Sequence, residues 1–150
     1  MNAEKKLEKF INKHKLDAKL IRFNESVKTV QNALKASGLE LTDIIKTIIF
    51  KSEKGPVAAV VTSKYRVSST KLKKFLGFDV EIASPEETLK LTGYPAGGVP
   101  CIGHDSIMVV DPFVFQKEYV YSGGGSSNTL MKLNTKHIKS QNPIITRIRK

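Results

Sequence analysis

Tryptophan is absent from this chain, cysteine occurs once, histidine occurs three times, and no apolar run is long. Each scarcity excludes something. A lone Cys101 rules out an internal disulfide and a cysteine-built structural zinc site. His14, His104 and His137 share no metal-ligand spacing, so no metal is expected. The longest apolar stretches are Val57–Val61 and Ile44–Phe50, the latter interrupted by Lys46 and Thr47. Both are far too short to cross a hydrocarbon layer of about 30 Å as helices, and no membrane span is expected. Met1–Lys19 alternates lysine with glutamate and has no signal-peptide apolar core. With the single cysteine, this points to a cytoplasmic location.

Acidic residues are scarce as well: 14 Asp and Glu stand against 25 Lys and Arg, giving a formal net charge of +11. No acid follows Glu118, yet Lys132, Lys136, Lys139, Arg147, Arg149 and Lys150 all do. Lys64, Arg66, Lys71, Lys73 and Lys74 form a second basic cluster. The imbalance favours a polyanionic partner such as nucleic acid, although a well-solvated lysine surface has the same composition. At 150 residues, 40% of them hydrophobic, the chain has enough apolar material for one core, and a single domain over residues 1–150 is expected.

Leu7, Phe10, Ile11 and Leu16 recur at helical spacing and predict an amphipathic first helix; Leu20–Phe23 reads as a short strand. Val30, Ala33 and Leu34 mark a second helix over Thr29–Ser37, stopped by Gly38. After a helical turn at Leu41–Ile44, Ile45–Phe50 and Val57–Thr62 read as paired strands around the turn Glu53-Lys54-Gly55-Pro56. Ser69 or Thr70 is expected to cap a basic helix Lys71–Leu76 that closes at Gly77. Asp79–Ile82 reads as a strand, and Ser84-Pro85-Glu86-Glu87 carries the signature of a capping box opening a helix to about Thr92. Beyond the loop Tyr94–His104, strands are expected near Ser106–Val110, Tyr119–Ser122, Leu130–Leu133 and Ile144–Ile148, with a short helix capped by Asn134 or Thr135. Several connections are too short for parallel crossovers. The fold class is therefore α+β with a mixed sheet.

Two features could carry chemistry. Thr92–His104 packs four glycines and two prolines into thirteen residues, more than a simple turn requires, and such a loop can bring bare backbone N–H groups up to a ligand. It can equally be a long structural loop. In the strand Ile45–Phe50, alternation places Lys46 on the side of Ile48 and Phe50, so its ammonium starts from an apolar face and must snorkel out or meet an anion. Cys101 and His104 also suggest a thiol nucleophile with a base, but nothing in the sequence supplies an orienting partner. The Gly123–Gly125 turn either lines a pocket or turns the chain.

Lys46 within Ile44–Phe50, the Ala83–Glu87 segment, Thr92-Gly93-Tyr94, Gly97-Gly98-Val99-Pro100 and Gly103-His104 together resemble the YbaK family of aminoacyl-tRNA deacylases, which includes the editing domain inserted in bacterial prolyl-tRNA synthetases. The likeness runs over about Val27–Leu133 and extends to the late strand and glycine turn Tyr119–Gly125. It implies a mixed, partly barrel-like sheet flanked by helices, no cofactor, and free-standing removal of a mischarged amino acid at the acceptor end of tRNA, with a synthetase as a further partner. By the same resemblance Lys46 positions substrate and stabilises charge, and Gly97, Gly98 and Gly103 give close backbone approach. Thr29, Thr47, Val99, Pro100, Cys101 and His104 are then expected around the substrate. Two positions depart from common members: Cys101 stands where many carry proline, and Lys28 where some carry histidine. The competing readings are a non-catalytic module that binds tRNA or a synthetase, and a hydrolase using Cys101.

Overall fold

The computed structural model describes residues 2–150; Met1, part of the lysine- and glutamate-rich leading segment, lies outside the described residues. Helix α1 spans Ala3–Lys13, opened by the Asn2 side chain accepting from the Lys5 N–H, and it buries Leu7 and Ile11. Strand β1 (Ala18–Arg22) leads to α2 (Val30–Ser37), where Thr29 is the N-cap and Gly38 takes the left-handed position past the last turn. β2 (Ile45–Lys51) and β3 (Val57–Thr62) pair antiparallel, Lys46 opposite Val61 and Phe50 opposite Val57. All six residues of β3 are buried, as expected of a strand covered on both faces.

Helix α3 (Ser69–Leu76) is capped by Ser68, one residue before the expected Ser69 or Thr70, because the Ser68 hydroxyl reaches the Lys71 N–H. β4 is only Glu81–Ile82; the rest of the expected strand Asp79–Ile82 finds no pairing partner. α4 (Pro85–Thr92) has the full capping box, Ser84 and Glu87 each bonding the other's backbone N–H. Then follow β5 (Ile107–Val110), a 3-10 turn Pro112–Gln116, β6 (Tyr119–Gly123), β7 (Thr129–Asn134), α5 (Lys136–Lys139) and β8 (Ile144–Ile145).

Five strands form a mixed sheet in the order β4-β2-β3-β5-β8, and three form an antiparallel sheet in the order β1-β7-β6. The mixed character follows from β5, which reaches β3 from the far side of the glycine loop and pairs with it parallel, Val57 beside Ile107. The expected mixed, partly barrel-like arrangement is made by two sheets that do not close into a barrel. They meet at one bridge, Ile44 beside Tyr121, where the Tyr121 N–H donates to Asp43 O at 2.9 Å. The expected last strand Ile144–Ile148 is also cut short. The buried Asp111 carboxylate takes the N–H groups of Ile148 and Arg149, and the chain turns to pair with Arg66–Ser68.

One core cluster lies between the two sheets and under α1, with Leu7, Ile45, Tyr94, Cys101, Met131 and Leu133 among its members. A second, around Phe50, Val61, Leu72 and Ile148, fills the space beneath α3. A small third cluster of Val27, Ala33, Ile44 and Leu130 holds α2 against the antiparallel sheet. Among the described residues β4 pairs with β2 only at Phe50 and Lys51, and β6 bridges the chain only at Ile44. The Ala83 N–H also reaches the Ile49 carbonyl at 2.9 Å, and between Ile44 and Ile49 the edge of β2 stays open. A cleft forms there.

Candidate active site

The cleft has a volume of about 220 Å³. Its floor is the first half of β2, one wall is the approach to α2 from Val27 to Val30, and the other is Gly97 and Val99 together with Ser122 and Gly123. Most of this lining is apolar, with a few polar groups converging on it, the usual make-up of a ligand site.

Two cations line the cleft, the exposed Lys28 and the part-buried Lys46. The pairing of Lys46 with Val61 puts it on the α3 side of the sheet, where burial, and then the nearby positive charge of Arg66, hold its ammonium below the usual lysine range. Among the described residues none of the five salt bridges involves it. Lys51, five residues on in the same strand, sits 2.8 Å from Glu87 and is shifted the opposite way. The sign of the Lys46 shift makes its charge a cost to the folded state, fully present below the folded pKa and relieved as pH rises from there towards the ordinary lysine value. An anion in the cleft would relieve the same cost at neutral pH.

Two hydroxyls join Lys46. Thr47 Oγ1 and Ser63 Oγ are buried without a hydrogen-bond partner among the described residues, and both residues line the cleft. A buried hydroxyl left unpaired costs about 1–3 kcal/mol, so two in one cleft are notable. Thr29 also lines the cleft, but its hydroxyl is taken by the Asn32 N–H at 3.1 Å as the cap of α2.

The glycine loop divides. Gly97, at φ +84°, faces the cleft, and the Lys28 chain lies over it so closely that a methyl group there would come within 2.4 Å of Lys28 Cγ. Gly98 packs instead on the Gly123–Ser126 turn: its carbonyl accepts from the Gly125 N–H at 2.8 Å and its own N–H donates to Pro95 O. Gly103 sits against Tyr94 and Leu7, with its carbonyl accepting from the Tyr94 hydroxyl at 3.2 Å. Pro100 and His104 fasten the loop to itself. The Pro100 carbonyl can only accept, so His104 Nε2 carries the proton that meets it at 2.9 Å, and Nδ1 accepts from the Ser106 hydroxyl. Burial holds this imidazole below its usual pKa, in keeping with a neutral ring.

Of the ten residues expected at the site, the cleft brings together Lys46, Thr29, Thr47, Gly97 and Val99. It does not include Gly98, Pro100, Cys101, Gly103 or His104, which build the loop behind it. Cys101 is wholly buried in the main core and its thiol is pushed up to about 12. A thiol so placed is neither ionised nor exposed to a substrate, which removes the reading of a Cys101-dependent hydrolase. Sequence reasoning missed Ser63, Ser122 and Leu130. Ser63 alone left a trace, as a polar residue directly after an unbroken buried strand.

The sequence pattern that defines the aminoacyl-tRNA editing domain matches residues 24–140. This chain belongs to that family. Among relatives of the editing domain, the uncharacterized protein YwhH of Bacillus subtilis (strain 168) is 29% identical over 119 residues, covering 77% of this chain and 76% of YwhH. The proline–tRNA ligase of Caldicellulosiruptor bescii is 29% identical over 119 residues, 78% of this chain but 21% of the ligase, so the editing domain here spans about a fifth of that enzyme. The crystal structure of a hypothetical protein superposes with a TM-score of 0.89 at 28% identity, covering 97% of this chain and 99% of the other. A candidate trans-editing enzyme for prolyl tRNA synthetase has the same fold, with a TM-score of 0.87 at 24% identity over 100% of this chain and 98% of its own. Among the described residues no helix is long and apolar enough to cross a membrane.

Proposed function

We propose that this chain works as an editing domain over residues 1–150, a trans-acting deacylase that hydrolyses the ester between a wrongly attached amino acid and the 3′ end of a tRNA. The observation that carries the reading is Lys46, a cation without a carboxylate partner among the described residues, in a cleft walled by main chain and belonging to an editing-domain family.

An aminoacyl ester is already labile. Its hydrolysis needs a water held near the carbonyl and a stabiliser for the tetrahedral oxyanion, tasks that one cation and polar main chain can perform. Water adds to the ester carbon, the bond to the ribose oxygen breaks, and that oxygen takes a proton as the amino acid leaves as its carboxylate. In this scheme Lys46 orients the terminal nucleotide and stabilises the developing charge. Gly97 and Val99 shape the wall against the aminoacyl group, and Thr47 and Thr29 line its bed. Gly98, Pro100, Cys101, Gly103 and His104 act by holding that wall in place.

The test is a panel of tRNAs, each charged with a wrong amino acid, incubated with the protein; at least one ester should be cleaved far faster than in buffer. The charge of +11, with no acid after Glu118, favours one other reading, a module that binds tRNA or a synthetase without turnover. Tight tRNA binding that survives Lys46→Ala, with no hydrolysis by either protein, would decide for that module.

A further inference from the structure

The mixed sheet is electrically lopsided along β2. At one end Lys51 is neutralised by Glu87 at 2.8 Å and approached by Glu81 at 3.9 Å. At the cleft end the charge that acts on Lys46 is the positive Arg66. The chain leaves the cleft at Ser63, turns through the Tyr65 N–H bond to Thr62 O, and runs antiparallel to the C-terminal segment. There Ser68 N–H donates to Ile148 O at 2.6 Å and Lys150 N–H donates to Arg66 O at 2.9 Å. Val67 stands opposite Arg149, so Arg66 stands directly opposite Lys150.

Two exposed cations facing each other across a strand pair repel, and such pairs normally destabilise a sheet. Neither takes part in a salt bridge among the described residues. Lys71 stands beside them, its ammonium on the Arg149 carbonyl at 2.9 Å. Arg66 is also the charge that Lys46 feels from within the cleft. Arg149, by contrast, is spent: it clasps the buried Asp111 carboxylate at 2.8 and 3.0 Å and lies 3.5 Å from the Phe113 ring centroid. The row that remains, from Lys46 through Arg66 to Lys150 and Lys71, is repulsive when empty and suited to a chain of phosphates.

We infer that the Arg66–Lys150 rung is a docking surface for the RNA backbone, holding the phosphodiesters just upstream of the esterified terminal nucleotide and so fixing the direction from which the strand enters the cleft. The inference rests on the proposed tRNA substrate and adds the face of the domain on which the tRNA lies. Other faces carry lysines too, but those of α1, such as Lys9 and Lys13, lie on a separate helix packed over the main core.

The test compares wild type with Arg66→Ala/Lys150→Ala on two substrates, full-length mischarged tRNA and a 3′-aminoacyl adenosine that lacks upstream phosphates. On tRNA, KM should rise with kcat unchanged, and the slope of log(kcat/KM) against log[salt] should shrink by about 1.4, about 0.7 for each single-strand phosphate that the variant no longer neutralises. Hydrolysis of the aminoacyl adenosine should not change, the melting temperature should not fall, and Lys9→Ala/Lys13→Ala should match wild type. An unchanged KM and salt slope on tRNA, or an equal loss on both substrates, would overturn the rung. Binding of deacylated tRNA, measured in parallel, separates the two claims. Wild-type binding that the double variant weakens with the same loss of slope, in the absence of turnover, keeps the rung and rejects the deacylase. Absence of both binding and turnover in wild type rejects both.

Discussion

Gly123→Ala should damage stability and hydrolysis together, through a collision that can be read from the structure. A methyl group at Gly123 would lie 2.4 Å from Val99 O, 2.7 Å from Gly98 C and 2.8 Å from Val99 C. Carbon contacts settle at about 3.5–4.0 Å, so β6 and the 97–99 loop would have to part by roughly 1 Å. All three struck atoms are backbone, and no flexible side chain can absorb the shift. Overpacking of this kind costs about 1–3 kcal/mol. For a chain of this size each kcal/mol lowers the melting temperature by about 2–4 °C, which predicts a fall of about 2–12 °C. Because Gly97 and Val99 are cleft wall, a displacement of this size should also lower kcat/KM by about 100-fold. Gly55→Ala is the control. It has no atom within 4 Å of the added methyl, lies in the β2–β3 turn at the far end of β2 from Ile44, and sits at φ +102°, so it should lose stability through backbone strain and keep full activity. Calorimetric melting and single-turnover deacylation of the two variants provide the comparison. A Gly123→Ala protein that melts lower yet hydrolyses like wild type would refute the idea that this contact shapes the site.

Three further outcomes are expected. Cys101→Ala should retain turnover with a modest loss of stability, and thiol-directed reagents should leave the native protein active, because the thiol is wholly buried and pushed up to about 12. Asp111→Ala should cost about 3–5 kcal/mol, seen as a lowered denaturant midpoint, since it strands the part-buried Arg149 guanidinium and two backbone N–H groups. Glu87, drawn down to about 2 by Lys51 and by the Ser84 cap, contributes stability that is present above the ordinary carboxylate pKa of 4.5 and lost as pH falls towards 2. Glu87→Gln should therefore flatten the acid limb of a melting-temperature profile between those values.

Much of the fold was legible because its signals are local. The capping box at Ser84 and Glu87 is a three-residue spacing, and Gly38, Gly77 and Gly93 follow their helices in the left-handed conformation that glycine supplies without strain. The β2–β3 pair was legible from its turn and its β-branched strands. What escaped was set by distant partners. Nothing around Ile148 announces that Asp111, thirty-seven residues earlier, will pull the last segment away from β8 towards Arg66. Alternation correctly put Lys46 on the side of Ile48 and Phe50. Whether the ammonium reached solvent or a cleft depended on the gap left along β2 between Ile44 and Ile49. The glycine loop was visible as an anomaly, yet composition cannot tell Gly97, which faces the cleft, from Gly98 and Gly103, which are small because other chain segments press on them. Ser63 was invisible because an unpaired hydroxyl is defined by what surrounds it in space.

The most direct measurement is single-turnover hydrolysis, by wild type and by Lys46→Ala, of whichever mischarged tRNA the native protein cleaves fastest, with melting curves recorded on both. The account predicts rapid release of the amino acid by wild type, a rate near that of buffer for the variant, and a melting temperature for the variant no lower than that of wild type. A variant that releases the amino acid as fast as wild type would contradict it, as would a native protein that cleaves no member of the panel faster than buffer.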